Sequence, residues 1–171
     1  MDIEIVSSTK YISGGATSLG GLILDYGQFD WSKTKKLNSL SNSHGQEAFS
    51  FKLKSEILRN LGTYMTPQTA YMQSLGLETL ELRYKQSSGT AFKLVEKLST
   101  VSFIESINYT GLKSNAYYEL SKKQFGDYPG AMLTFDLASA DACFKLMNGL
   151  KLIKRATNLF DNKTLAIHAL S

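Results

Sequence analysis

A lysine flanked by hydroxyl side chains and followed by glycines can present an amine to a carbonyl compound. The run Ser7-Ser8-Thr9-Lys10-Tyr11-Ile12 has this composition. It leads into Ser13-Gly14-Gly15-Ala16-Thr17-Ser18-Leu19-Gly20-Gly21, where four of nine residues are glycine and no bulky side chain precedes Leu19. Backbone there can approach a ligand closely. An amine adds to an aldehyde in its neutral form, which loss of surrounding water favours. Ser7 and Thr9 carry hydroxyls that can donate to phosphate oxygens, so a planar cofactor with a phosphate tail would fit beside Lys10. On these residues alone, a solvated loop lysine explains the run more simply.

The elements that would position Lys10 are legible from period and punctuation. Asp2 to Ser7 alternates polar and apolar residues, with the β-branched side chains inward, and predicts a strand at Ile3 to Val6 with Lys10 just past its end. A second strand is expected at Leu19 to Asp25. The polar stretch from Ser32 to Gln46 reads as a surface loop. A helix is expected from about Phe49 to Asn60, stopped by Gly62. Thr66-Pro67 has the N-cap and first-turn chemistry of a new helix. Met72, Leu75, Thr79 and Leu82 predict that this helix carries one apolar face to Gln86, with Ala91, Leu94, Val95 and Leu98 repeating the helical spacing as core. The period then becomes two: Val101, Phe103, Glu105 and Ile107 suggest one strand and Leu133, Phe135 and Leu137 another, with a helix bearing Tyr117 and Leu120 between them. Ala140, Cys143, Phe144 and Met147 form the buried stripe of a last helix. Strand and helix alternating after Ser99 describe a small α/β sandwich.

Composition removes several function classes. Net charge is +4 with a pI near 9.0, but Lys33-Lys35-Lys36 form one short cluster and Lys151-Lys154-Arg155 another, with the remaining cations dispersed among acids and neutral residues. No basic stripe with interleaved aromatics appears, so no nucleic-acid partner is expected. Cys143 is the single cysteine, which excludes an internal disulfide and fits a cytoplasmic setting. His44 and His168 are remote in sequence and lack ligand spacing, so no metal site is expected. Met1-Asp2-Ile3-Glu4 has neither a basic leader nor a long apolar run, and no membrane partner is expected.

More specific than any of these is a resemblance. Ser7-Ser8-Thr9-Lys10-Tyr11-Ile12-Ser13-Gly14 resembles the pyridoxal-phosphate lysine motif of the Cys/Met metabolism (transsulfuration) enzymes. The likeness continues, in the family's order, through Leu19 to Trp31, Gly76 to Arg83, Asn108 to Leu112 with Tyr117 to Leu120, and Lys163 to His168. The run Asp25-Tyr26-Gly27-Gln28-Phe29-Asp30-Trp31 is similar to the acylhomoserine sulfhydrylases more than to the lyases. The resemblance implies that Lys10 forms the imine with pyridoxal phosphate and later shuttles protons, and that Ser7 and Thr9 help hold the cofactor phosphate. Thr164 lies where a small hydroxyl residue would contact the amino-acid substrate. The implied reaction, as the role of the parent enzyme and with this chain alone expected to be inactive, is γ-replacement on O-acetylhomoserine or O-succinylhomoserine by sulfide or a thiol, giving homocysteine or methionine. A cystathionine or methionine γ-lyase relative and an inactive or partial form of such an enzyme are the alternatives. Two departures alter the pocket: Val6 stands where the family often has His, and Gly14-Gly15 where it often has Gly-His.

At 171 residues the chain is shorter than the family's members. The expected architecture is therefore a remnant of the fold-type I pyridoxal-phosphate-dependent transferase large domain over residues 1–65, long connecting helices over 66–98, and an incomplete C-terminal α/β domain over 99–171. Asp2, on the lysine strand itself, is not the acid that would pair with the pyridine nitrogen. An intact relative is expected to be a homo-oligomer, dimer or tetramer.

Overall fold

A computed structural model describes residues 1–169. Strand β1, Ile3–Val6, pairs antiparallel with β2, Leu22–Asp25, in the register Ile3↔Asp25 to Val6↔Leu22. The strand before Lys10 is where its alternation places it, but its apolar face is covered only in part. Ile5 is 80% exposed opposite Ile23, which is 52% exposed. Ile3 and Ile5 share one face of the ribbon, and that face is covered only at its Ile3 end: Ile3 packs toward Trp31, Leu37 and Ala48, while Ile5 lies beyond the reach of that cluster.

The polar stretch after β2 is helical, which corrects its reading as a loop. A short 3-10 turn, Trp31–Lys33, is capped by Asp30, whose carboxylate accepts the Ser32 N–H at 3.1 Å. Helix α1, Asn38–His44, follows. Two apolar residues decide the matter: Leu37 is buried and Leu40 half-buried against Trp31 and Ala48. The serines, which favour turns because their hydroxyls compete for backbone groups, satisfy that tendency inside the helix; Ser41 Oγ donates to Asn38 O at 2.7 Å. Helix α2, Ala48–Lys52, a π-helical stretch, Leu53–Leu58, and α3, Arg59–Leu61, run on to Gly62, which ends them at φ 64°.

Thr66 caps helix α4, Pro67–Glu78, as its chemistry predicts, accepting the Thr69 N–H at 3.2 Å. The expected single helix reaching Gln86 is instead two, because the chain breaks at Thr79 and restarts as α5, Leu80–Leu98. The buried face also differs from the apolar stripe. Leu75 and Leu82 are exposed, whereas Gln73 and Gly76 are buried, because the lysine loop packs on the Gly76 side.

The second half is a mixed α/β unit. Strand β3, Ile104–Asn108, pairs antiparallel with β4, Thr134–Leu137, across an irregularity between Ile104 and Ser106. That bulge shifts the phase, so Phe103 is exposed while Ile104 and Ile107 are half-buried. Phe135 and Leu137 keep the expected inward phase. Ala91 and Val95 of α5 pack on Tyr109, with Ile107, Leu112 and Leu133 around them. Helix α6, Tyr118–Phe125, buries Ser121 rather than Tyr117 or Leu120, both exposed. Helix α7, Ala140–Gly149, starts on Ser139, whose hydroxyl accepts the Ala142 N–H, and buries Met147 with Cys143 and Phe144 partly covered. A short parallel pair that the periodicity does not announce, β5 (Lys154–Arg155) with β6 (Leu165–Ala166), brings the C-terminal segment back.

Candidate active site around Lys10

Lys10 leaves β1 through a tight turn. Its N–H donates to Ser7 O at 3.2 Å, the Ser13 N–H donates to Ser8 O at 2.9 Å, and Ser13 Oγ donates to Thr9 O at 2.6 Å. Thr9 is buried and ties this turn to the glycine run: its hydroxyl accepts the Gly20 N–H at 2.9 Å and donates to Gly20 O at 3.2 Å. A hydroxyl has one proton, so Thr9 as placed acts as a strut. Ser7 is exposed at the start of the turn.

The far side of the turn is held by Arg83 of α5. Its Nη1 donates to Tyr11 O at 2.7 Å, its Nη2 to Gly76 O at 2.6 Å and more weakly to Ile12 O at 3.5 Å, and its Nε to Thr79 Oγ1 at 3.1 Å. A planar five-donor guanidinium suits this, because one group can satisfy carbonyls from the lysine loop and from the end of α4 together. Burial lowers the Arg83 pKa from its ordinary value. The approach is close enough to require glycine at two positions. A Cβ at Gly76 would meet Ile12 O at 2.0 Å, and one at Gly14, where φ is +72°, would meet Arg83 Cζ at 3.0 Å.

Tyr11 packs edge-on to Tyr84, ring centroids 5.5 Å apart, and lies flat on Phe160 at 3.8 Å with 18° between the planes. Its hydroxyl is pushed up to about 12, chiefly by loss of water around it. The Lys10 amine is half-buried and donates to Asn158 Oδ1 at 3.0 Å. Asn158 Nδ2 in turn donates to Asp161 Oδ2 at 2.8 Å. Among the described residues Lys10 is in no ion pair.

The sequence-predicted residues are thus brought together unevenly. Ser7, Thr9 and Lys10 share one turn. Thr164 is exposed just before β6, its carbonyl accepting the Lys154 N–H at 3.1 Å, and the residue of that segment that meets the Lys10 amine is Asn158. Asn158, Asp161 and Arg83 were missed. Arg83 lies inside the family-like block Gly76 to Arg83, which was a usable signal; an asparagine far from Lys10 in sequence gave none. His44 Nδ1 lies 2.7 Å from Ser43 Oγ, and no group of three or more His, Cys, Asp or Glu side chains that could hold a metal converges among the described residues. Among them, too, no helix is long and apolar enough to cross a membrane.

The sequence matches the Cys/Met metabolism PLP-dependent enzyme family over residues 1–171. The chain belongs to that family. Among curated relatives, the homocysteine synthase of Schizosaccharomyces pombe is 33% identical over 97% of this chain, and the O-acetyl-L-homoserine sulfhydrylase of Leptospira meyeri 34% identical over 99%. The chain spans 42% and 43% of their lengths. Among solved structures, the O-acetylhomoserine sulfhydrylase of Wolinella succinogenes superposes with a TM-score of 0.83 at 41% identity, covering 95% of this chain and 47% of that one. A putative O-acetylhomoserine (thiol)-lyase from Campylobacter jejuni, which carries N'-pyridoxyl-lysine-5'-monophosphate, superposes at 0.89 with 28% identity, covering 100% and 46%.

The turn of this transsulfuration-family chain fits such a cofactor. The Lys10 amine rests on a neutral amide oxygen, a partner that costs less to leave than a carboxylate, and Ser7 has its hydroxyl free of burial at the same turn.

Proposed function

We propose that this chain carries the lysine-bearing part of an O-acetylhomoserine sulfhydrylase active site, which exchanges the γ-acetoxy group for sulfide to give homocysteine and acetate. The observation that carries the reading is the half-buried Lys10 amine, presented by a backbone-pinned turn in a chain similar along its length to enzymes of that name. O-Succinylhomoserine as acyl donor and a thiol as nucleophile are variants of the same exchange.

Pyridoxal phosphate, when bound, supplies the electron-withdrawing ring that lets a substrate α-C–H bond ionise. This chain's residues then have distinct tasks. The Lys10 amine takes the α-proton and returns a proton on the same face, so it must be basic and held in place at once. Asn158 provides the holding contact. Arg83 and Thr9 keep the turn from shifting beneath it, the first by bonds to loop carbonyls and the second by its double link to Gly20. Ser7 is assigned to the phosphate, and Thr9 would join it only by turning its proton away from Gly20 O. Thr164 is the candidate contact for the amino-acid substrate.

In the same reading, residues 1–65 belong to a cofactor-binding large domain, 66–98 connect, and 99–171 form a C-terminal α/β domain. The protein works as a homo-oligomer in the cytoplasm.

The test is to mix the chain with pyridoxal phosphate, reduce with borohydride and map the adduct. Labelling at Lys10 is expected; labelling spread evenly over surface lysines overturns the assignment. Homocysteine formation from O-acetylhomoserine and sulfide, lost in Lys10→Ala, then tests the reaction. A chain that labels at Lys10 yet gives γ-elimination products and no homocysteine refutes the sulfhydrylase choice.

A further inference from the structure

The segment over residues 158–163 is built against the lysine turn through Asn158 and Phe160. Asn158 meets the Lys10 amine. Phe160 stacks on Tyr11, and does so with φ 59°, a left-handed backbone that a bulky side chain adopts only when its surroundings impose it. Asp161 closes the segment: one carboxylate oxygen accepts Asn158 Nδ2 at 2.8 Å and the other accepts the Lys163 N–H at 3.1 Å.

We propose that Asp161 is a positioning residue for Lys10 and acts through Asn158, by fixing which end of the Asn158 amide faces the lysine. This rests on the reading of Lys10 as the cofactor-linked amine. A lysine ammonium only donates, an ionised carboxylate only accepts, and a carboxamide has one end of each kind. Between Lys10 and Asp161 the amide therefore fits in one sense, oxygen toward Nζ and NH2 toward the carboxylate. Reversed, it would set donor against donor and acceptor against acceptor at both ends. The Lys163 N–H holds Asp161 in turn, so the carboxylate cannot swivel to suit a flipped amide. Its pKa is lowered, first by the Asn158 hydrogen bond, which keeps it an acceptor at neutral pH. Without Asp161 the amide loses its bias, and the lysine loses a fixed acceptor.

The competing role for Asp161 is to cap the backbone at Lys163, with no consequence for Lys10 beyond local folding. A double-mutant cycle separates the two, since groups acting in series are non-additive and independent ones add. With pyridoxal phosphate as probe, the initial rate of borohydride-trapped labelling at Lys10 is compared in the full chain and in Asp161→Ala, Asn158→Leu and the pair. Each single change is expected to lower the rate about tenfold, the factor given by 1.4 kcal/mol, and the pair no further. Asp161→Asn should lower the rate as Asp161→Ala does, because an amide at 161 that still accepts the Lys163 N–H turns its NH2 toward Asn158 and removes the bias while keeping the cap. Additive losses, no loss in Asp161→Ala, or no loss in Asp161→Asn overturn the proposal. Should the variants not fold, hydrogen exchange of the Asn158 carboxamide in the unaltered chain decides: protection relative to exposed asparagines supports it, and unprotected exchange overturns it. Scattered labelling of the unaltered chain would refute the cofactor reading instead, leaving the carboxamide measurement to judge the Asp161–Asn158 arrangement.

Discussion

Glycine to alanine inside a helix normally stabilises, by about 1 kcal/mol; Gly76→Ala should do the reverse. Gly76 lies within α4, yet its missing side chain is where the lysine loop sits, so an added Cβ would come within 2.0 Å of Ile12 O and 2.9 Å of the Ser13 carbonyl carbon. Both contacts are backbone, with no flexible side chain to yield, and the loop must retreat by over an ångström. That retreat breaks the Arg83 bonds to Tyr11 O and Ile12 O. Overpacking of this kind costs about 1–3 kcal/mol, and loss of a charge-assisted hydrogen bond about 1.5–3 kcal/mol. Set against the helix gain, the net destabilisation is about 3 kcal/mol. With a urea slope of about 2 kcal/mol/M, the unfolding midpoint should fall by about 1.5 M. Gly89 is the control: it lies within α5 with nothing within 4 Å of its would-be Cβ, and Gly89→Ala should raise the midpoint by up to about 0.5 M. Equal or greater stability in Gly76→Ala would refute the claim that the lysine loop is docked on this helix.

Arg83→Met should lose the pins on the loop and cost about 2–3 kcal/mol, with Arg83→Lys recovering only part; faster amide exchange at residues 10–13 is the measurement. Burial raises the Tyr11 hydroxyl to about 12, so the folded state keeps a proton that the unfolded chain releases near 10. The stabilisation is complete below pH 10 and lost as pH rises through 12. Allowing for solvent screening at a half-exposed ring, it amounts to about 1 kcal/mol, and urea midpoints compared with those of Tyr11→Phe, which should lack this step, would show it. Ser8 Oγ is buried with no hydrogen-bond partner among the described residues, so Ser8→Ala should be neutral or stabilising by up to about 1 kcal/mol; a loss above about 1 kcal/mol in thermal or urea unfolding would show that this hydroxyl is satisfied.

Where the sequence read well, the determinant was local. The strand before Lys10, the Thr66-Pro67 helix start, the Gly62 stop and the alternation of Phe135 and Leu137 are set by backbone chemistry and side-chain period, which act within a few residues. The family blocks likewise pointed to the family, which matches over residues 1–171, without any contact being known. Where the reading failed, a distant partner overrode the local preference. The serine-rich stretch became α1 because Leu37 and Leu40 reach Trp31 and Ala48, and the α4 face turned because the loop occupies the space at Gly76.

The lysine turn shows the same division. Its residue types and glycines are sequence facts, and the strand that ends at Val6 delivers Lys10 to its turn by period alone. That the amine rests on Asn158, that Asp161 stands behind that amide, and that Arg83 clamps the carbonyls beneath were decided by tertiary structure. Hydrogen-bond complementarity carries no signature along the chain: a carboxamide can accept from any ammonium, and Asn158 meets Lys10 only because folding brings together residues 148 positions apart.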